Sequence, residues 1–239
     1  MTKEKLKSAV EMIIDDAFHR IEYAYQYQCE PSIEIPISID AKRECKTRLI
    51  FPKYTKSKNG KDGRTRISEQ ELRFAFVEAF NAYCDTNEID DLYYSIETPT
   101  SNRYVGFSAK SKMNPQRNDA KGRSGEFDLV IFNRENDKLK RACLIEFKAK
   151  NAGEIDHWKD MLKLKEEGEE TLCYFIEVLK SYDEGTKASL CNDKVGAFFQ
   201  IEEYKKYANN GVAISVRCYA LEGENEGKGC ELKLSKHLY

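Results

Sequence analysis

No apolar run in the 239-residue chain approaches the length needed to cross a bilayer, which excludes a transmembrane helix. Eight cysteines, at 29, 45, 84, 143, 173, 191, 218 and 230, include no C-x-x-C pair. They are therefore expected as reduced thiols and not as a zinc or disulfide framework. Neither charge is in excess: 39 Lys+Arg stand against 41 Asp+Glu, a net charge of −2, which excludes a histone-like or tail-type polycation. Histidine is scarce, and His19 and His237 have no partners at metal-ligand spacing. Residues 1–16 carry Glu4, Glu11, Asp15 and Asp16 and lack the apolar centre of a secretion signal, so a cytoplasmic protein is expected. A hydrophobic content of 41%, with 14 Tyr and 12 Phe, excludes disorder and is enough to bury a real core.

The near-zero net charge hides a segregation. Residues 40–66 hold ten Lys/Arg, Lys42, Arg43, Lys46 and Arg48 among them, against three acids, and residues 101–123 hold six against one. Residues 154–184 run the other way, with four lysines against ten acids. The two basic stretches read either as a phosphate-binding face on a neutral protein or as solvated loops.

The hydrophobic pattern gives the order of elements. Leu6, Val10, Ile13, Ile14, Ala17, Phe18, Ile21 and Tyr25 recur at helical spacing and predict a helix over 4–28, closed off by Pro31 and Pro36. Ser32–Asp40 reads as a short extended segment, and the polar turn Lys56–Gly63 marks the best boundary. Residues 1–63 are thus expected as a helical and basic extension packed on a core spanning 64–239. Ser68 followed by Glu71 has capping-box spacing and opens a helix with the stripe Leu72, Phe76, Ala79, Phe80 and Tyr83. Strands are expected at Leu92–Glu97, Arg103–Ser108, Glu126–Phe132 and Arg141–Lys148. A helix over Glu154–Glu167, a strand over Leu172–Leu179, a helix over Val195–Ala208 and a last strand over Val212–Leu221 follow. This α-β-β-β-α-β order, then α and β, implies an α/β fold whose mixed central sheet is covered on both faces.

Two of these strands carry charge inside apolar runs. Asp128 interrupts Phe127, Leu129, Val130, Ile131 and Phe132, and Glu146 and Lys148 share one face of Arg141–Lys150 with Leu144. If the polar segment 133–140 turns about Asp137, Asp128 lies opposite Glu146, with Cβ atoms ~5 Å apart. Two carboxylates so placed repel unless a cation sits between them, and Mg²⁺ or Mn²⁺ suits such an all-oxygen site. The Lys148 ammonium beside them can orient or help deprotonate an attacking water, the arrangement for metal-assisted phosphodiester hydrolysis. The plainer reading makes all three surface residues on a sheet with one wet face.

Asp128, seventeen residues, then Glu146-Phe147-Lys148 resembles the D…(D/E)-x-K signature of the PD-(D/E)XK nuclease superfamily, the restriction-endonuclease-like fold. The resemblance covers about residues 66–220, with Phe127 where the name-giving pattern has proline. It implies that Asp128 and Glu146 are metal ligands and that Lys148 positions the water. It also implies that Glu71, on the helix opened by Ser68, is a further metal-binding acid, a position for which Glu69 and Glu78 compete. The expected activity is a divalent-metal-dependent nuclease, DNA being favoured over RNA, in restriction or defence against foreign DNA. The alternative is a catalytically silent nucleic-acid-binding or protein-interaction module, or a subunit needing a partner; a homodimer is a further possibility, and no membrane partner is expected.

Candidate nucleic-acid contacts are Arg123 in Gly122-Arg-Ser-Gly125, Lys150 at the strand end, and His157 early in the following helix, along with Arg43, Lys46 and Arg48. Lys150 and His157 read equally as solvated surface groups. Tyr93, Tyr94, Arg103, Tyr104 and Phe107 read as base-stacking groups or as ordinary sheet packing.

Overall fold

The structure is a computed structural model that describes residues 1–26, 28–29, 47–52, 65–107, 114–149, 152–181, 183–208, 211–222 and 230–234. The chain divides into two units, one of Leu6–Ile89 and one of Met1–Lys5 with Asp90–Tyr239. The division falls at residue 89, where the polar turn Lys56–Gly63 had suggested 63. The reason is that the helix opened by Ser68 belongs with the N-terminal helix, as Arg20 reaching Glu78 at 3.5 Å shows. The polar turn Lys56–Gly63 lies outside the described residues, and its composition carries no record of which helix a stripe packs on.

In the first unit, α1 (Lys3–Gln26) buries Leu6, Val10, Ile13, Ile14, Ala17, Phe18 and Ile21 along one stripe. Two short strands, β1 (Gln28–Cys29) and β2 (Phe51–Pro52), pair in parallel. Helix α2 (Glu69–Thr86) begins at Ser68, whose backbone N–H donates to Glu71 Oε2 at 2.9 Å. The carboxylate thus satisfies a donor that the first helical turn leaves unpaired.

The second unit is built on a sheet. Its strands are β3 (Leu92–Val105), β4 (Gln116–Arg117), β5 (Arg123–Glu135), β6 (Lys138–Ala149), β7 (Leu172–Ser181), β8 (Ser215–Glu222) and β9 (Cys230–Leu234). They form a seven-stranded mixed sheet in the order β4-β3-β5-β6-β7-β8-β9. β3, β5 and β6 are an antiparallel meander, β6-β7 and β7-β8 are parallel, and β9 returns antiparallel. The parallel pairs need crossovers. Helix α3 (Glu154–Glu167) makes the first. The second contains α4 (Glu184–Ala188), a π-helical turn (Ser189–Val195), α5 (Gly196–Gln200) and α6 (Glu202–Ala208). The expected order α-β-β-β-α-β is therefore present as α2, β3, β5, β6, α3, β7, in a mixed α/β architecture.

Three local expectations differ from the structure. Leu92–Glu97 and Arg103–Ser108 are one strand, β3, with its register broken between Pro99 and Arg103. The helix expected over Val195–Ala208 is broken at Ile201, whose extended backbone (ψ 130°) ends α5. β9 was not anticipated at all. Among the described cysteines Cys84, Cys143, Cys173 and Cys218 are free and buried, as reduced thiols should be. Among the described residues no helix is long and apolar enough to cross a membrane.

Both sheet faces carry buried apolar side chains, Leu129, Ile131, Ile145 and Val178 on one and a larger cluster on the other. Leu144, Cys173, Phe175, Leu179, Val216, Cys218 and Ala220 meet Trp158, Met161, Leu162 and Leu164 of α3 and Leu190, Val195, Phe198 and Tyr204 beyond it. Helix α3 ends at Gly168, where a Cβ would lie 2.3 Å from Cys173 Sγ and 2.5 Å from the Leu164 carbonyl, so only glycine admits this turn. Just before it, the buried Glu167 closes the gap that the irregularity in β3 opens. Its carboxylate accepts from Ser101 N (2.8 Å), Asn102 N (2.9 Å), Tyr104 Oη (3.1 Å) and Arg141 Nη1 (3.1 Å). Burial, and then Glu167 itself, pushes the Tyr104 hydroxyl well above the usual tyrosine range. Glu167→Ala strands two backbone donors and a guanidinium, and is expected to cost about 3 kcal/mol in chemical denaturation. The same change at exposed Glu135, which pairs with Lys140 in solvent, is expected to leave stability nearly unchanged.

Candidate active site

The hairpin β5-β6 sets the geometry. Its turn residues Asn136 and Asp137 have φ of 49° and 58°, the left-handed conformation that a two-residue hairpin demands and that Asn and Asp tolerate. From Glu135↔Lys138 the ladder runs, through one register shift between Ile131 and Phe132, to Leu129↔Ile145. Asp128 and Glu146 lie one position beyond this last pair. There the side chain takes over from the ladder: Asp128 Oδ2 accepts from the backbone N–H of Phe147 at 2.8 Å. Asp128 is half-buried, whereas Glu146 is 1% exposed.

Beyond the hairpin, Glu146 is in register with Phe175 and Lys148 with Glu177 on β7. Helix α3 lies over this face and presents His157, Asp160 and Lys163, three residues apart and hence on one stripe. Each meets a charge of the sheet. His157 Nε2 lies 3.0 Å from Glu177 Oε2, Lys148 Nζ lies 2.6 Å from Asp160 Oδ2, and Lys163 Nζ lies 2.6 Å from Glu146 Oε1 and 3.0 Å from Asp160 Oδ1. Asp128, Glu146 and Asp160 with Lys148 and Lys163 thus make three carboxylates against two ammonium groups.

That imbalance shows in the titration of the cluster. Burial, and then the neighbouring Asp160 and Asp128, hold the Glu146 carboxyl well above the usual range, and Lys163 and Lys148 only partly offset them. Burial also opposes ionisation of Asp160, but Lys163 and Lys148 outweigh it and hold that carboxyl below the usual range. Burial disfavours the Lys163 charge, yet Asp160 and Glu146 raise its ammonium above the usual lysine range. An apolar set of the same volume would hold α3 at least as firmly, so fold stability alone does not account for these charges.

The remaining candidates are scattered. His157 is neither a surface group nor free to touch a phosphate. It is fully buried, its Nδ1 donates to the Gly153 carbonyl at 3.0 Å, and Nε2 and Glu177 share the second hydrogen bond. Glu71 lies in the other unit, where Arg66 pairs with Oε1 and the Ser68 hydroxyl and N–H both donate to Oε2. Both oxygens thus serve the start of α2. Arg123 is exposed at the start of β5, and Arg48 is exposed just before β2. Arg43, Lys46 and Lys150 lie outside the described residues.

Asp160, Lys163 and Glu177 are the functional candidates that sequence reasoning missed. Their signal was present: Glu177 interrupts the apolar run Leu172–Leu179 as Asp128 interrupts its own. Likewise His157, Asp160 and Lys163 fall among Trp158, Met161, Leu162 and Leu164 on the buried side of α3.

Among the described residues no group of three or more His, Cys, Asp or Glu side chains is arranged to hold a metal ion. Mg²⁺, however, commonly takes only one or two carboxylates and completes its shell with water and substrate phosphate. Asp128 and Glu146 supply oxygen donors of that kind, so the chemistry of the donor pair fits such an ion. Comparison with protein-family models, with curated proteins and with solved structures finds no match to this chain.

The Glu146 carboxyl also fixes a pH dependence. Its folded value lies above its unfolded one, so its favourable contribution is full below the ordinary carboxylate range. That contribution is lost as pH rises through the raised value. Glu146→Gln cannot ionise and leaves two carboxylates against two lysines. It is expected to be more stable than the unaltered protein by about 1–2 kcal/mol at about pH 8, the gain vanishing toward about pH 4. Denaturant titrations across that range check this; a difference independent of pH contradicts it.

Proposed function

We propose that this protein is a divalent-metal-dependent nuclease of PD-(D/E)XK type that hydrolyses phosphodiester bonds, with DNA as the favoured substrate. The observation that carries the reading is Asp128 bonded to the Phe147 N–H beside Glu146 just past the end of the β5-β6 ladder, with Lys148 two residues further along β6. The α-β-β-β-α-β order around this hairpin supports it.

In this reading Asp128 and Glu146 hold Mg²⁺ or Mn²⁺, which when bound supplies Lewis-acid polarisation and charge neutralisation at the phosphoryl group. The Phe147 N–H fixes the Asp128 carboxylate by its 2.8 Å hydrogen bond. Lys148 carries a proton on Nζ and orients the attacking water, and Asp160 at 2.6 Å holds that ammonium in place as a positioning residue. His157 and Glu177 anchor the start of α3 so that Asp160 stays over the sheet. A role in restriction or defence is part of the same proposal.

A second reading, a catalytically silent module of this fold, is favoured by one observation: Lys163 and Asp160 already engage Glu146 and Lys148. Incubation with single- and double-stranded DNA and RNA separates the two. The nuclease reading predicts cleavage with Mg²⁺ or Mn²⁺, none with chelator, and a loss of at least about 100-fold in Asp128→Asn and in Lys148→Ala. No cleavage of any of these substrates with either ion, or full cleavage by Asp128→Asn, contradicts it.

A further inference from the structure

Lys163 is held as a cation is held in an oxygen site. Its Nζ lies 2.6 Å from Glu146 Oε1 and 3.0 Å from Asp160 Oδ1 and donates to the Glu126 carbonyl at 2.7 Å, and the side chain is 7% exposed. The Phe127 ring lies beneath it, 5.8 Å from Nζ to the centroid. Its stem passes over Gly125, where a Cβ would lie only 3.2 Å from Lys163 Cδ, so β5 is thinned to admit it. Carboxylates and a backbone carbonyl are also the donors that hard divalent ions take.

We propose that the Lys163 ammonium is a built-in counter-ion that competes with the divalent cation for Glu146, so that the ion loads tightly only together with an anionic substrate. The proposal rests on the metal-dependent reading above and adds its regulation. A doubly charged ion on Glu146 and an ammonium on the same carboxylate repel at close range, in a volume where water screens them poorly. The ion alone therefore binds weakly. A phosphodiester brought to the site offers the ammonium new oxygens, relieves that repulsion and makes ion and nucleic acid bind cooperatively. The metal-free protein meanwhile keeps Glu146 compensated and α3 in place.

The test is calorimetric titration with Mg²⁺ or Mn²⁺ alone, without nucleic acid, in alkaline buffer so that a proton does not take the place of the lysine. Lys163→Met, which keeps the length of the stem, is expected to bind the ion roughly tenfold or more tightly than the unaltered protein. Lys163→Gln, which still donates to the Glu126 carbonyl, is expected to shift the same way and serves if the methionine variant fails to fold. In the unaltered protein, the Lys163 side-chain amine resonance is expected to shift when Mg²⁺ is added at high concentration, a measurement that needs no variant. Equal or weaker binding by the variants, or a Lys163 resonance indifferent to a bound ion, overturns the proposal while leaving the metal-dependent reading intact. If no form binds either ion, both fall together.

Discussion

Lys163 meets Glu146 at 2.6 Å and Asp160 at 3.0 Å, and Asp160 in turn meets Lys148 at 2.6 Å. This alternating chain of charge, buried between α3 and the sheet, is what the candidate site depends on. It determines which carboxyl keeps its proton, where the Lys148 ammonium points, and how α3 seats on β6 and β7. Burying so much charge is costly unless every group has a partner. Here the pairing is nearly complete and one negative charge too rich. The surplus falls on Glu146 and Asp128, the two acids just past the end of the hairpin ladder.

The fold positions this cluster by ordinary means. A two-residue left-handed turn at Asn136–Asp137 and one register shift bring Asp128 beside Glu146. A parallel crossover then lays α3 across the same face, and Glu177 on β7 takes His157 at the start of the helix. Glu167 at the other end of α3 fixes the irregular part of β3. The helix is therefore tied at both ends by buried carboxylates, with the charged cluster between them and apolar packing alongside.

Much of this was legible in the sequence. The two apolar runs interrupted by Asp128, Glu146 and Lys148 were legible as paired strands, and the polar segment between them as their turn, but the register shift between Ile131 and Phe132 was not, because a bulge leaves no mark on the alternation. The helix after β6 was legible as a helix, but its inward charges were not. Asp160 and Lys163 sit in a segment crowded with acids and lysines, where the sequence alone does not tell a buried charge from a solvated one. His157 misled for the same reason: a single histidine beside Asp156 and Asp160 reads as surface, whereas its true partner, Glu177, is twenty residues away on another strand. The division of the chain at residue 89 was not legible, because local composition carries no record of which stripe meets which. For Glu71 the capping-box spacing was the sounder signal, and the structure gives that carboxylate to Ser68 and Arg66.

The central claim is that Asp128 and Glu146 form a cation site and not a patch of ordinary sheet charge. Thermal unfolding with increasing Mg²⁺ or Mn²⁺ tests it most directly, because an ion that binds only the folded state raises the melting temperature as its concentration passes the Kd. The account predicts a rise for the unaltered protein, at high ion concentration given the Lys163 ammonium, and a much smaller one for Asp128→Asn. A melting temperature indifferent to both ions, or a rise of equal size in Asp128→Asn, would contradict it.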